Sequence, residues 1–408
     1  MLISNTILNK YISYLFFLIP ISLVSGPFLS DAIISILAIF FIYILFKEKE
    51  IYYLKDIKVI LFLIFCIFLT LRAIFSVNVM ESITPSIFYF RFGLFVLATV
   101  YLINRIPNFE KNFTKFLLYT IIFVSVDAYI QIIFGFNLFG MKILISDRIS
   151  GLFGDEYVLG SYLVRLFPLL IALMIDKINL NFKNILIFII SISLFNLLIF
   201  FTAERTAFLL NLIFLILLTM IIKKVRKILI TTLLISFVLM GISVKLDNGL
   251  YERMIKQTYN EVYHDKKVRI FTEGHQSHIE SALKMFKDNK LFGYGVKNYR
   301  VVCRDSKYFE KITSCSTHPH NSFAQLLAET GLFGFSFVFF IFLYICKDLF
   351  FFFLNSFGEK KIDEKKAIIS ILIFINLFPF SPSGSFFNNW LSIIYFLPLG
   401  FYINKFKR

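Results

Sequence analysis

The chain has 408 residues, of which 58% are hydrophobic and 19% aromatic, with 55 phenylalanines and one tryptophan. That composition excludes an ordinary soluble domain and predicts a protein made of membrane-spanning helices. The formal net charge of +16 would suit a nucleic-acid ligand, but the basic residues follow the loops between apolar runs, which argues against such a partner.

The apolar runs predict an all-α polytopic membrane protein. Most are about 17–25 residues long, enough to cross a bilayer. Pro20 interrupts the first run and no cleavage site of small residues follows it, so we expect that run to be a span and not a cleaved signal peptide. We predict twelve spans, at roughly 11–25, 28–46, 58–77, 86–104, 115–138, 157–176, 184–202, 205–222, 227–244, 322–346, 367–380 and 386–403.

The loops predict the orientation. With the N-terminus inside, the cytoplasmic segments hold 22 Lys and Arg residues, whereas the five short loops on the other face hold three. This asymmetry predicts cytoplasmic termini. The predicted organisation is spans one to nine in residues 1–244, a large periplasmic loop at 245–319 carrying an amphipathic helix, and spans ten to twelve in residues 320–408.

Two cysteines lie in that loop, in an oxidising compartment if the orientation holds. Cys303 and Cys315 are therefore predicted to form a disulfide. The alternative is a zinc site that adds His318 and His320, but the spacing of the cysteines fits no common zinc signature.

Arginines gather at the outer ends of the predicted spans. They are Arg72, Arg91, Arg148, Arg165 and Arg205. Guanidinium groups suit bidentate capture of phosphate, and this position would suit a lipid-linked diphosphate. The alternative is that some of them extend to the interface or pair with a nearby carboxylate.

The large loop contains one clear helical pattern and one tight turn. Ile279, Leu283 and Phe286 recur at helical spacing within residues 276–289, which predicts a helix lying on the membrane or on the outer mouth of the bundle. The glycines of residues 291–296 predict a tight turn that brings the chain back over the mouth.

The segment from His320 to Lys347 is 28 residues without a predicted break. At helical rise it is about 42 Å long, whereas a bilayer core is about 30 Å thick. We therefore expect a strong tilt or two turns above the outer surface, with His320 at the helix start and Glu329 below it. His320 alone suits either a cap or a catalytic base.

At these positions the chain resembles the O-antigen ligase family, which also holds O-antigen polymerases and bacterial protein O-oligosaccharyltransferases. The likeness spans roughly residues 145–345. It is carried by RISGLFG at 148–154, LGSYL at 159–163, the Glu204-Arg205 pair, and the block from Arg269 through GYG at 293–295 to PHN at 319–321 and ETGLFG at 329–334.

The resemblance implies a GT-C-like fold and metal-independent transfer of a glycan from an undecaprenyl-diphosphate carrier at the periplasmic face of the inner membrane. It implies no cofactor. His320 matches the family's catalytic histidine, and Arg205 and Arg269 match arginines thought to hold the diphosphate. Arg148 is a weaker candidate, because Asp155 and Glu156 stand where the family commonly carries a Pro-Asn-like sequence.

Two further residues are candidates for binding the substrate, Arg165 and Glu329. The expected acceptor is the lipid A-core for a ligase, which we favour, or a carrier-linked glycan for a polymerase, and nothing in the residues separates the two. Protein O-glycosylation and a flippase for the same lipid are further alternatives. A flippase predicts charges at several depths of the bundle, whereas those here gather on one side.

Overall fold

The computed structural model describes residues 5–143, 148–178, 181–264, 267–309, 315–358 and 361–403. In this part of the chain the fold is all-helical, apart from one hairpin of two-residue strands, β1 (Tyr263–His264) and β2 (Lys267–Val268). The helices are α1 (Asn5–Phe17), α2 (Ile19–Ser22), α3 (Pro27–Lys47), α4 (Ile57–Ile74), α5 (Val79–Ile87), α6 (Phe90–Arg105), α7 (Phe109–Phe134), α8 (Leu159–Met174), α9 (Phe182–Phe201), α10 (Arg205–Ile221), α11 (Arg226–Leu246), α12 (Asn248–Tyr251), α13 (Thr258–Val262), α14 (Glu273–Asp288), α15 (Tyr299–Val302), α16 (Ser322–Asn355), α17 (Glu364–Asn376) and α18 (Asn389–Ile403).

The apolar runs form long helices, as expected. Within the described residues, eight helical segments are long and apolar enough to cross a membrane, and α10 and α18 are shorter apolar helices. The first predicted span is divided into α1 and α2 next to Pro20, because proline lacks the N–H that would continue the helix. Helices α1 and α17 have thirteen residues each, so the count of twelve spans stays a prediction.

Contacts between loops divide the bundle into two ends that match the predicted alternation. One end joins segments predicted to be cytoplasmic, by side-chain contacts of Lys365 with Glu110, Lys224 with Ile175 and Lys223 with Gly358. The other end joins segments predicted to lie outside, by contacts of Arg72 with Gly293, Asn298 with Asn78 and Arg253 with Ala203. We call this second end the loop end, because residues 247–321 lie there.

Helix α8 lies at the centre of the bundle. In its apolar stretch of 18 residues, 83% of the residues are buried inside the protein. Helices α7, α9, α10 and α17 pack around it. Apart from Ser161 and Arg165 its side chains are mostly apolar, which suits a helix that other helices surround. A second group, α3, α6 and α18, packs together beside it.

The predicted unbroken helix from His320 to Lys347 is wrong. Helix α16 breaks at Gly331, where φ is 61° and ψ is −163°. At the break the turn at residues 290–295 is hydrogen-bonded to the helix: the N–H of Gly295 donates to the Glu329 carbonyl at 2.8 Å, and the N–H of Leu332 donates to the Lys290 carbonyl at 2.7 Å. Glycine permits both the left-handed φ and this close approach of two backbones.

The predicted loop helix exists as α14, but its buried face differs from the expected one. Leu283 of the predicted apolar stripe is 37% exposed, whereas Ala282 and Met285 are fully buried. The small side chains of Ser277 and Ser281 are buried with them. Because α14 packs on α16, small residues facing that helix allow closer packing than the larger stripe would. This rotation brings His278 to the protein-facing side.

Candidate functional site

The turn before α10 is attached to the start of α8 through Glu204. Its carboxylate accepts hydrogen bonds from the backbone N–H of Gly160 at 2.6 Å and from the N–H and hydroxyl of Ser161 at 3.1 and 2.8 Å. A carboxylate at a helix N-terminus satisfies unpaired N–H groups and the positive end of the helix dipole. Burial has the largest effect on the pKa of Glu204 and raises it, whereas these hydrogen bonds lower it.

Three guanidinium groups surround this turn. Arg205 forms an ion pair with Glu261 at 2.7 Å. The Nε–H of Arg253 donates to the Ala203 carbonyl at 3.0 Å. Arg148 lies over the ring of Tyr157, 4.3 Å from its centroid. We call Arg148, Arg205 and Arg253 the arginine cluster.

The arginine cluster is a concentrated positive charge. Burial, and next the neighbouring guanidinium groups, lower the pKa of Arg148 and Arg253. These side chains remain charged at neutral pH, since the usual pKa of arginine is above 12. Arg253 was missed by sequence reasoning, because one arginine in a polar loop segment looks like an ordinary solvated charge.

Arg165 lies beneath the cluster in α8. It is 5% exposed, and its Nη1 donates to the Ser161 carbonyl at 3.2 Å. Its Nε has no hydrogen-bond partner among the described residues. The side chain interacts electrostatically with Tyr395 and Glu204. A buried polar atom without a partner marks a place where a ligand or water fits.

Four histidines come together beside the cluster. The ring centroid of His320 lies 4.1 Å from that of His318, 5.3 Å from that of His275 and 5.2 Å from that of His278. His275 and His278 are three residues apart in α14 and so share one of its faces. We call these four residues the histidine cluster. Sequence reasoning singled out His320 alone for catalysis.

Two members of the histidine cluster, His318 and His320, are neutral near pH 7. Burial, and next the neighbouring imidazole of His318, lower the pKa of His320 to about 3. Burial also lowers the pKa of His318 to about 4. The pKa of His275 is lowered by burial and by His278, with Arg205 and Glu261 also acting on it. His275 therefore links the histidine cluster to the arginine cluster.

The backbone of His320 is held in a constrained conformation. Its φ is 53°, in the left-handed region that few non-glycine residues adopt. The N–H of Ser383 donates to the His320 carbonyl at 2.9 Å, and the Asn321 amide donates to the Pro379 carbonyl at 2.7 Å. The segment between α17 and α18 thus fixes His320. Such strained residues are often found at functional sites.

Arg269 follows the β1–β2 hairpin. Its backbone N–H donates to the Val262 carbonyl at 2.7 Å. Val262 is the residue that follows Glu261, and Glu261 pairs with Arg205. The Arg269 side chain is partly exposed. The structure therefore places Arg269 at the edge of the site and gives no direct contact with the arginine cluster.

Glu329, a candidate for binding the substrate, lies inside the protein next to the turn that precedes α15. Its side chain has no exposed surface. The carboxylate accepts hydrogen bonds from the backbone N–H of Tyr299 at 3.1 Å and from the Gln325 amide at 3.0 Å, and also from the backbone of Lys297. Through these bonds Glu329 holds the backbone of residues 297–299 against α16.

Cys303 and Cys315 form a disulfide, with a Cα–Cα distance of 5.3 Å. This is the pairing that the sequence favoured over a zinc site on the same residues. Within the described part of the chain, no group of three or more His, Cys, Asp or Glu side chains is arranged to hold a metal ion. The bridge closes the loop just before His318 and His320.

The fold and this site define a multi-pass, all-helical membrane protein with adjacent clusters of arginine and histidine at one end of its bundle. Residues 185–339 match the family model described as O-antigen ligase. In this region the chain is similar to the O-antigen ligase family, in agreement with its motifs. The matched region contains Arg205, Arg253 and the histidine cluster, whereas Arg148 and Arg165 precede it. No curated protein matches the chain.

Proposed function

We propose that the protein is an O-antigen ligase that transfers a glycan from an undecaprenyl-diphosphate carrier to the lipid A-core at the periplasmic face of the inner membrane. The observation that carries the proposal is that the neutral His318 and His320 lie in a histidine cluster that interacts electrostatically with the arginine cluster through His275. The histidine cluster supplies a proton acceptor and the arginine cluster a binding site for a polyanion, which are the two elements that this transfer needs.

The diphosphate is held by the arginine cluster. Arg205 and Arg253 lie on either side of the turn at residues 202–205, and Arg148 approaches from the segment before α8. Their planar groups suit phosphate oxygens. Glu261 pairs with Arg205 in the empty site, so binding of the diphosphate exchanges one anionic partner of Arg205 for another. Arg165 supplies positive charge below, and Arg269 lies at the outer edge.

His320 acts on the acceptor hydroxyl. Its neutral imidazole takes the hydroxyl proton while the acceptor oxygen forms a bond to the anomeric carbon. The bond from that carbon to the diphosphate oxygen breaks, and its electron pair leaves with the diphosphate, whose charge the arginines stabilise. Direct displacement of this kind inverts the anomeric configuration. Burial, and next the imidazoles of His318, His275 and His278, keep His320 neutral.

The test uses the purified full-length protein in detergent, with carrier-linked glycan and acceptor lipopolysaccharide from a strain that lacks the protein. We expect transfer without a membrane gradient, and none from the His320→Ala variant. Gln276→Ala, a change at an exposed position on α14 next to His275, is the control and should retain activity. Full activity of His320→Ala would contradict the proposal, and so would the absence of product from the wild-type protein.

The choice between ligase and polymerase is tested in the deletion strain. Loss of a ligase leaves bare core and accumulated carrier-linked polymer. Loss of a polymerase leaves core that bears a single repeat. If the second banding pattern is observed, the acceptor is a carrier-linked glycan and not the lipid A-core. The proposed chemistry of the site is then unchanged.

A further inference from the structure

A cavity outside the arginine and histidine clusters is lined by charged and aromatic side chains. It has a volume of about 360 Å³ and opens between the start of α3, helix α5, the first turn of α6 and the turn at residues 293–299. We call it the α5 cavity. Its volume falls within the range of small-ligand pockets, about 300–1,000 Å³. Its principal lining residues are Asp31, Glu81, Phe88, Arg91, Lys297 and Asn389.

Two basic residues, Arg91 and Lys297, and two acidic residues, Asp31 and Glu81, line the α5 cavity. Arg91 pairs with Asp31 at 2.5 Å, and Arg300 pairs with Glu81 at 3.7 Å. Lys297 has no carboxylate within 4 Å among the described residues, although Glu81 and Glu329 act on it at longer range. One ammonium group at the cavity wall is therefore left to interact with an anion.

Arg300 connects this cavity to the histidine cluster. It pairs with Glu81 in the cavity wall and interacts electrostatically with His318. The Nε atoms of Arg300 and Arg91 and the Nε2 of His318 are buried without a hydrogen-bond partner among the described residues. Electrostatic interactions thus link the histidine cluster to the arginine cluster through His275, and to the wall of the α5 cavity through His318 and Arg300.

Lys297 is held in place from two directions. Its backbone donates a hydrogen bond to the buried Glu329 carboxylate, and its φ is 57°. The next residue, Asn298, is fully buried, and its side chain accepts the Asn78 N–H at 2.7 Å. Because Asn78 caps α5, these bonds fix the turn against the helix that forms the opposite wall. The turn that carries Lys297 is therefore held in a fixed position relative to α5.

We propose that the α5 cavity binds the acceptor, a saccharide that carries an anionic substituent. This inference rests on the proposed function and adds the location and chemistry of the acceptor. The substituent pairs with Lys297, and sugar hydroxyls bond to Asp31, Glu81 and Asn389, since carboxylate and amide groups provide the required acceptors. Phe88, which is 50% exposed, offers an apolar surface for a sugar ring. The acceptor hydroxyl then reaches His320 from this cavity.

The test compares the KM values for the two substrates in the purified full-length protein. Lys297→Met should raise the KM for acceptor lipopolysaccharide at least about tenfold, with the donor KM changed by less than about twofold. Lys297→Arg should recover most of the loss. Lys287→Met, at an exposed position on α14, should resemble the wild type. An increase in the donor KM alone, or no change in either KM, would overturn the proposal.

The source of the negative charge is tested with modified acceptors. Removal of phosphate from the acceptor should raise the wild-type KM if the substituent is a phosphate, and reduction of its carboxyl groups should do so if it is a uronate. Neither treatment should further weaken Lys297→Met. If neither changes the wild-type KM, the anionic acceptor is wrong. A failure of the proposed function can be distinguished from a failure of this inference, because it would appear as activity retained in His320→Ala.

Discussion

A Glu204 carboxylate oxygen lies 2.6 Å from the backbone nitrogen of Gly160 and joins the turn before α10 to the first turn of α8. A Cβ at residue 160 would lie 2.6 Å from the Thr202 hydroxyl oxygen and 3.1 Å from that carboxylate oxygen. Two motifs that are 44 residues apart in the chain thus form one structural unit, and the arginine cluster is built on it.

Gly160→Ala should destabilise the protein although alanine favours a helix. The added methyl group forces the turn away from α8, which should cost roughly 1–3 kcal/mol and lower the rate of transfer. Thermal unfolding of the detergent-purified variant measures the change. The control is Gly241→Ala in α11, where a Cβ would meet nothing within 4 Å and stability should stay level or rise. Equal stability of the two variants would exclude this packing argument.

Gly331→Ala should disrupt the junction between α16 and the turn at residues 290–295. A Cβ there would lie 2.4 Å from the backbone of Leu291, at a φ of 61°. We expect loss of most transfer activity, because the displaced turn leads directly to Lys297. Gly274→Ala, in the first turn of α14 with nothing within 4 Å, should be tolerated. Limited proteolysis of the loop reports the displacement, and an unchanged cleavage pattern for Gly331→Ala would contradict it.

The sequence predicts most helices of this fold, since long apolar runs leave few alternatives in a membrane. It does not predict the break at Gly331. A glycine inside a helical pattern is usually tolerated, and what decides here is a turn about 40 residues earlier that forms hydrogen bonds with the helix. The buried face of α14 was missed for a similar reason, because Ser277 and Ser281 are buried where larger apolar residues were expected.

The site was only partly predictable. The family resemblance pointed to His320 and Arg205, and the structure brings them close through His275. Arg253, His278, Arg300 and Lys297 carried no signal, because isolated charges and histidines in a polar loop are usually solvated. Their importance comes from contacts between distant segments. Glu329 is a candidate for substrate binding by its position near the mouth, and the sequence did not predict that its carboxylate accepts hydrogen bonds from buried backbone N–H groups.

The acid limb of the kcat/KM profile should lie well below the usual histidine pKa of about 6.5. Burial and the neighbouring imidazoles lower the pKa of His320 to about 3, so the neutral base persists as the pH falls through 6 and 5. A histidine of ordinary pKa would be only about 3% neutral at pH 5. Because kcat/KM reports on the free enzyme, the measurement reads this group directly. A limb near pH 6.5 would contradict a buried neutral base.

Arg205→Lys should lower kcat/KM for the carrier-linked donor by at least about tenfold, because a single ammonium does not reproduce the planar fork on a diphosphate. The KM for the acceptor should stay near the wild-type value. Arg304→Lys, at an exposed position in the same loop, is the matched control. Donor kinetics equal to those of the control would show that Arg205 serves only its ion pair with Glu261.

The central claim is that the histidine cluster faces the periplasm, where the carrier-linked glycan is presented. The direct measurement is labelling of intact cells with a membrane-impermeant maleimide, in a protein whose free Cys66 and Cys346 are replaced by alanine. The account predicts labelling of Lys287→Cys on α14, and labelling of Lys111→Cys at the other end of the bundle only after the cells are opened. The reverse pattern would place the site in the cytoplasm and contradict the account.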